Sequence, residues 1–160
     1  MAFRRQATAG MVSDTSLYNI DGVCVTDSGF VRAVGTAVGV KAGVAVDGYK
    51  VLVAPATGNV YGVLVKSHYE SPKGTYGGVV GDIDNYQVAN VMSHGRVWMQ
   101  TSLTALGADQ AFGKPVLIGA DGIVAAAGAV TTGWTFAGGF QPADSVSGEP
   151  ALVEVQVLQK

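Results

Sequence analysis

Short apolar runs, each bounded by Gly, Pro, Asn or Asp, recur along most of the chain and predict β-strands. The most regular run closes the sequence, where the odd-numbered positions from Ala151 to Val157 are apolar and Glu154 and Gln156 lie between them. That period of two is typical of a strand with one buried face. The predicted strands are 38–46, 49–54, 60–66, 87–92, 96–101, 116–118, 123–126, 134–140 and 151–158. Several short strands at close spacing predict an all-β domain, either a sandwich or a barrel.

The residue types and the turn signals agree with this prediction. The chain has 26 valines against 8 leucines, and β-branched residues favour pleated surfaces over helices. Two hairpins are predicted, one over 49–66 that turns through 55–59, and one over 116–126 that turns at Asp121-Gly122. Only the segment 102–110 predicts a short helical turn.

Two segments lack a strand pattern. Residues 1–32 are interpreted as an extended N-terminal arm that precedes a domain over 33–160, because their apolar residues follow no sustained period. A frayed terminus is the alternative. The second segment, 67–84, is rich in Gly, Pro and aromatic residues and predicts a long exposed loop.

The composition is more typical of a protein that assembles with partners than of an enzyme. Charged residues make up 14% of the chain, against about 25% in typical soluble domains, and 48% of the residues are apolar. Such a chain leaves apolar surface that a partner can cover. The net charge of −2 gives no field that would attract nucleic acid or an anionic membrane, and no apolar run approaches the ~20 residues that span a bilayer. No apolar segment follows Arg4-Arg5, so no export signal is expected.

The search for catalytic, metal and phosphate motifs favours a protein that is not an enzyme and needs no cofactor or metal. The segment 107–114 resembles a phosphate-binding loop, but its glycines enclose one residue too many and Pro115 replaces the Ser or Thr that would bind magnesium. Asp82 and Asp84 could hold a cation, although a solvated acidic turn is favoured because the rest of a calcium loop is absent. No nucleophile elbow or papain-type cysteine motif is present.

Four other residues have a structural and a functional interpretation. Cys24 lies in an apolar run and is predicted to be a buried, inert thiol. His94 is interpreted as a turn residue, with no metal-ligand spacing to His68. Trp98 and Trp134 lie in predicted strands, where the core is favoured over an interface, but the sequence leaves both possibilities open.

Four segments of the C-terminal half carry a resemblance to a known family: 113–118 (GKPVLI), 121–124 (DGIV), 133–139 (GWTFAGG) and a closing strand that contains ALVEV. Together they resemble the capsid cement, or decoration, proteins of tailed bacteriophages over about residues 36–160. The resemblance implies a small β-barrel or β-tulip domain.

It also implies a structural protein that is made in the bacterial cytoplasm and resides in the virion, on the outer capsid surface. There it would bridge neighbouring major capsid protein subunits, as a trimer by preference or as a dimer. The residues expected to contact the capsid are Phe3, Arg4, Arg5, Met11, Leu17 and Tyr18 in the arm and His68, Tyr69 and Tyr76 in the loop. The alternatives are a head fibre, tail or baseplate subunit, a bacterial adhesion module, and, less favoured, a carbohydrate-binding module or an enzyme.

Overall fold

The computed structural model describes residues 7–14, 17–27, 30, 32–66, 79–80 and 88–158. Within these ranges the chain forms ten strands and one 3-10 helix over Ala108–Gln110, so the all-β prediction is confirmed. The strands are β1 (Asn19–Thr26), β2 (Arg32–Ala33), β3 (Ala37–Val46), β4 (Tyr49–Val53), β5 (Val60–Val65), β6 (Val79–Val80), β7 (Val88–Thr101), β8 (Pro115–Ile118), β9 (Val130–Gln141) and β10 (Ala151–Val157).

Eight of these strands form one sheet in the order β1-β4-β3-β5-β7-β10-β9-β8. Strand β1 also pairs with β7, so five strands of the sheet close into a ring. The first part of β7 pairs with β1 and β5, and its second part, Gly95 to Thr101, pairs with β10. Part of the sheet therefore forms a barrel-like ring, and β10, β9 and β8 extend the same sheet beyond β7.

The predicted hairpin over 49–66 is wrong. Strand β3 lies between β4 and β5 and pairs with both, as Val40 with Leu52 and Ala37 with Val63. The tight turn is instead Asp47-Gly48, which joins β3 to β4 with φ values of 50° and 86°. Positive φ at both central residues is typical of two-residue hairpin turns. Asp47-Gly48 therefore forms the hairpin of β3 and β4, and the longer loop after β4 leads to a strand that β4 does not pair with.

Strand β7 was predicted as two strands with His94 in a turn between them. The structure corrects this, because His94 lies within β7 and pairs with Asn19 of β1. Gly95 has a φ of 112°, and a Cβ on it would lie 2.5 Å from the Met92 Cε and 2.7 Å from the Tyr18 Cβ. This glycine lets the strand change direction where it passes from one part of the sheet to the other, without ending it.

Two other strand predictions also differ from the structure. The segment 123–126 is not a strand, although its turn forms and Val124 makes single bridges to Ile118 and Thr101. Strand β1 lies inside the predicted arm and was missed. Its sequence gave little signal because only its last three residues, Cys24 to Thr26, are buried.

Among the residues that the structure describes, the buried apolar side chains form two cores. The smaller contains Cys24, Val34, Val38, Leu52, Leu64, Ala89 and Val91. The larger contains most of the buried side chains of β7 to β10, including Trp134, which is 1% exposed. Trp134 is therefore a core residue, whereas Trp98 is half-buried. Cys24 is buried, as predicted, and burial raises the pKa of its thiol to about 12. Among the described residues no helix is long and apolar enough to cross a bilayer.

One turn gives a direct test of this packing. Gly122 has a φ of 80°, and a Cβ there would lie 2.3 Å from the Ala37 carbonyl oxygen. Gly122→Ala is expected to lower the free energy of unfolding by about 2–3 kcal/mol, because a strained backbone and a backbone clash act together. The control is Gly48→Ala, which has a similar φ but open space around it and is expected to cost about 1 kcal/mol. Equal losses in urea denaturation would contradict the assigned contact.

Candidate docking surface

Residues 7–14, named here the strap, run along the edge of the second part of β7. The Gly10 N–H donates to the Trp98 carbonyl (2.8 Å), the Trp98 N–H donates to the Met11 carbonyl (2.9 Å), and the Ser13 N–H donates to the Arg96 carbonyl (2.9 Å). Val12 lies opposite Val97 in an antiparallel bridge. The strap thus adds a short strand segment to an edge that would otherwise expose unpaired backbone groups.

Side chains fix the strap at both ends. Ala7 is 1% exposed, and its N–H donates to the Gln141 Oε1 at 3.0 Å. At the other end, the Ser13 hydroxyl donates to the Glu154 Oε1 at 2.5 Å, and Asp14 pairs with Arg96 at 3.4 Å. This part of the predicted arm is therefore packed on the sheet of its own chain.

Leu17 and Tyr18 lie between the strap and β1 in the chain. Val12 lies opposite Val97, and Asn19 lies opposite His94. Between these two pairings the N-terminal segment is seven residues long (19 − 12), whereas the stretch of β7 that it accompanies is three residues long (97 − 94). Between these anchors Leu17 is 91% exposed and Tyr18 is 53% exposed. The Asn19 side-chain amide also donates to the Ser93 hydroxyl at 2.8 Å, which fixes the start of β1.

Four exposed apolar residues follow this edge of β7: Met11, Leu17, Tyr18 and Ile20. We name them the docking edge. Met11 and Ile20 are 36% and 38% exposed and lie on the two anchored segments, with Leu17 and Tyr18 between them. The first three are among the contact residues that the sequence predicts, and Ile20 is not. Ile20 lies two residues after Tyr18 in the sequence, and this proximity to the predicted contact residues could have indicated it.

The other predicted contact residues are Phe3, Arg4, Arg5, His68, Tyr69 and Tyr76, and all of them lie outside the described residues, as does the turn with Asp82 and Asp84. Their part in a contact stays a prediction. The structure brings Met11, Leu17 and Tyr18 to one edge.

One charged cluster joins three strands of the ring. The Lys50 Nζ lies 2.7 Å from the Asp21 Oδ2, and the Tyr61 hydroxyl donates to the same oxygen. Burial alone would raise the pKa of Asp21, but hydrogen bonds from Lys50, Tyr61 and the Val23 N–H outweigh it and lower that pKa. The hydrogen bond to Asp21 raises the pKa of Lys50, so the amine stays charged. The cluster is suited to tying β1, β4 and β5 together.

The cluster predicts how stability depends on pH. Because folding lowers the pKa of Asp21, its contribution is complete above the ordinary value of 3.8 and is lost as the pH falls through the lower folded value. Asp21→Asn is expected to cost about 1 kcal/mol at pH 7, a modest figure because Lys50 is partly solvated, and the cost should shrink below pH 4. Urea denaturation of both proteins at several pH values measures this difference. A cost that stays constant into the acid range would contradict the role of the Asp21 charge.

The remaining titratable side chains were compared with the geometry of a metal site. The described residues contain no group of three or more His, Cys, Asp or Glu side chains placed to hold a metal ion. The docking edge is an exposed apolar surface beside segments that pair with β7, and exposed apolar patches often mark interaction sites.

A comparison with known protein families decides what kind of protein carries this edge. Residues 2–158 match the family model Phage_cement, described as structural cement protein (E217 gp24/Pam3 gp6). The chain belongs to this family. The match covers nearly the whole chain and confirms the resemblance to phage cement proteins. No curated protein matches the chain.

Family membership gives the coarse function. Proteins of this family are structural cement proteins of phage, so the chain is a phage structural protein. This favours a cement protein over the fibre, tail, adhesion and carbohydrate-binding alternatives.

Proposed function

We propose that this cement protein binds the outer surface of the assembled capsid and bridges neighbouring major capsid protein subunits, with the docking edge as its main contact. The observation that carries this proposal is the exposure of Leu17, at 91%, on a segment anchored on both sides to β7. Because the flanking segments are already paired with β7, burial of Leu17 by a partner orders less backbone than burial of a residue on a free terminus would.

The energetics favour many weak contacts over one strong one. Burial of apolar surface contributes about 25 cal/mol per Å², so four partly exposed side chains supply a modest contact per copy. A ligand that binds only the assembled shell stabilises it by RT ln(1 + [L]/Kd), and each bound copy adds to the total. Stabilisation of the capsid therefore needs occupancy and no chemistry.

The N-terminal residues extend the proposed contact. Ala7 is fixed beside Gln141, so Phe3, Arg4 and Arg5 precede an anchored point of the chain. In the proposal the two arginines pair with capsid carboxylates, to which a guanidinium can donate two parallel hydrogen bonds. His68, Tyr69 and Tyr76 would supply a further contact from their loop.

A binding and melting experiment tests the proposal. Purified protein is added in increasing amounts to expanded heads that lack it, and the heads are sedimented and then heated. The protein should sediment with the heads up to a saturating number of copies, and the temperature of head disruption should rise with occupancy. A protein that fails to sediment, or that binds without raising that temperature, would overturn the proposed role.

A further inference from the structure

The sequence contains three Asp-Gly pairs: Asp21-Gly22, Asp47-Gly48 and Asp121-Gly122. Such a pair is chemically reactive, because glycine has no side chain to hinder its backbone nitrogen when that nitrogen attacks the carboxyl carbon of the preceding aspartate. The reaction needs a carboxyl group that is free to turn and a backbone N–H that no other acceptor holds. The three pairs differ in both respects.

The first pair is held by its carboxylate. The Lys50 amine and the Tyr61 hydroxyl both donate to the Asp21 Oδ2, and the Val23 N–H donates to the Oδ1 at 2.8 Å. Hydrogen bonds to both oxygens fix the carboxylate and favour its ionised form, which has no hydroxyl to lose. Asp21 is therefore expected to react slowly in the folded protein.

The third pair is held on both sides of its peptide bond. The Asp121 Oδ1 accepts the Ile123 N–H at 3.1 Å, and the Gly122 N–H donates to the Gly119 carbonyl at 3.0 Å. Gly122 is also buried against the Ala37 carbonyl. Cyclisation of this pair would require the turn to open first.

The second pair has neither restraint. Asp47 and Gly48 are both exposed, and a Cβ on Gly48 would meet no atom within 4 Å. No other described residue forms a hydrogen bond with the Asp47 carboxylate or with the Gly48 N–H. Both reacting groups are thus free of the contacts that hold the other two pairs.

We propose that Asp47-Gly48 is a site of spontaneous isoaspartate formation in the folded protein. The Gly48 nitrogen attacks the carboxylic acid carbon of Asp47, a C–N bond forms, and the amide proton and the carboxyl hydroxyl leave as water. Water then opens the resulting cyclic imide. When the imide opens at the former main-chain carbonyl, the chain continues through the Asp47 Cβ and Cγ. The net change is an isomerisation that needs no enzyme, oxidant or cofactor.

The modification acts on the hairpin, because it adds one carbon atom to the main chain of a two-residue turn. Across this turn Val46 pairs with Tyr49 and Ala45 pairs with Lys50. Turn length fixes the register of a hairpin, so a longer turn disturbs these pairs. The isomerised protein is therefore expected to unfold at a lower urea concentration.

Prolonged incubation of the full chain at mildly acidic pH tests the site. A methyltransferase specific for isoaspartate, supplied with labelled S-adenosylmethionine, marks the product, and peptide mapping assigns its position. In the folded protein, labelling at Asp47 should exceed labelling at Asp21 and at Asp121 at least about tenfold, because those two pairs react only after local opening. Asp47→Glu cannot form the five-membered imide and should abolish the label at that position.

The control is the same protein held unfolded in urea, where the three pairs should be labelled to similar extents. After incubation, wild-type protein should contain a fraction that unfolds at a lower urea concentration, and Asp47→Glu should not. Equal labelling of the three pairs in the folded protein, or no label at Asp47, would overturn the assigned site. An unfolded protein that also favours Asp47 would show that local sequence, and not the fold, selects it.

Discussion

Replacing Leu17 and Tyr18 together by serine is expected to reduce retention on expanded heads at least about tenfold, while stability changes by no more than about 0.5 kcal/mol. Both side chains are largely exposed, so their removal costs the fold little. Serine also keeps the Cβ that lies against Gly95 at position 18. Co-sedimentation with heads and urea denaturation measure the two effects separately.

The control for this variant is Val44→Ser. Val44 is 40% exposed and lies on β3, which is separated from the docking edge by other strands of the ring. Its substitution should leave retention unchanged. If Leu17 and Tyr18 can be replaced without loss of retention, or if Val44→Ser is equally damaging, the docking edge is not the capsid contact.

Truncation of the N-terminus should have two distinct effects that depend on where the chain is cut. Removal of residues 2–14 deletes the strap and is expected to lower the free energy of unfolding by about 3 kcal/mol, because backbone groups of β7 lose their partners and buried contacts are opened. Removal of residues 2–6 leaves the strap in place and should leave stability unchanged. Urea denaturation of the two truncated proteins measures the difference.

The shorter truncation also tests the predicted contacts of Phe3, Arg4 and Arg5, since it should reduce retention on heads without destabilising the domain. Equal stability of the two truncated proteins would contradict the assigned role of the strap. Full retention after removal of residues 2–6 would remove those three residues from the proposed contact.

Much of the strand content could be predicted because the signal is local. The alternation of apolar and polar residues from Ala151 to Val157 predicts a strand with one buried face, without any knowledge of its partners. Strand β10 is observed over those residues. The pairing of strands is not local. The loop after β4 gives an ordinary hairpin signal, yet β5 lies on the far side of β3, and only the tertiary packing of β3 against both strands reveals this.

The candidate site shows the same division. The sequence predicts contact roles for Met11, Leu17 and Tyr18. They are apolar residues in a segment without a strand or helix period, so no core of their own is evident for them. Their common position on one edge of β7 could not be predicted, because it depends on pairings across more than 70 residues, such as Val12 with Val97. The strap was missed for the same reason. Its stability comes from backbone hydrogen bonds to β7, to which the side-chain pattern of residues 7–14 gives no clue.

A cryo-electron microscopy reconstruction of expanded heads saturated with the protein tests the proposed capsid contact most directly. Density is expected on the outer surface, where it should span neighbouring major capsid protein subunits with Leu17 and Tyr18 facing the shell. Density confined to a single subunit, density only at the tail, or a docking edge turned toward solvent would contradict it.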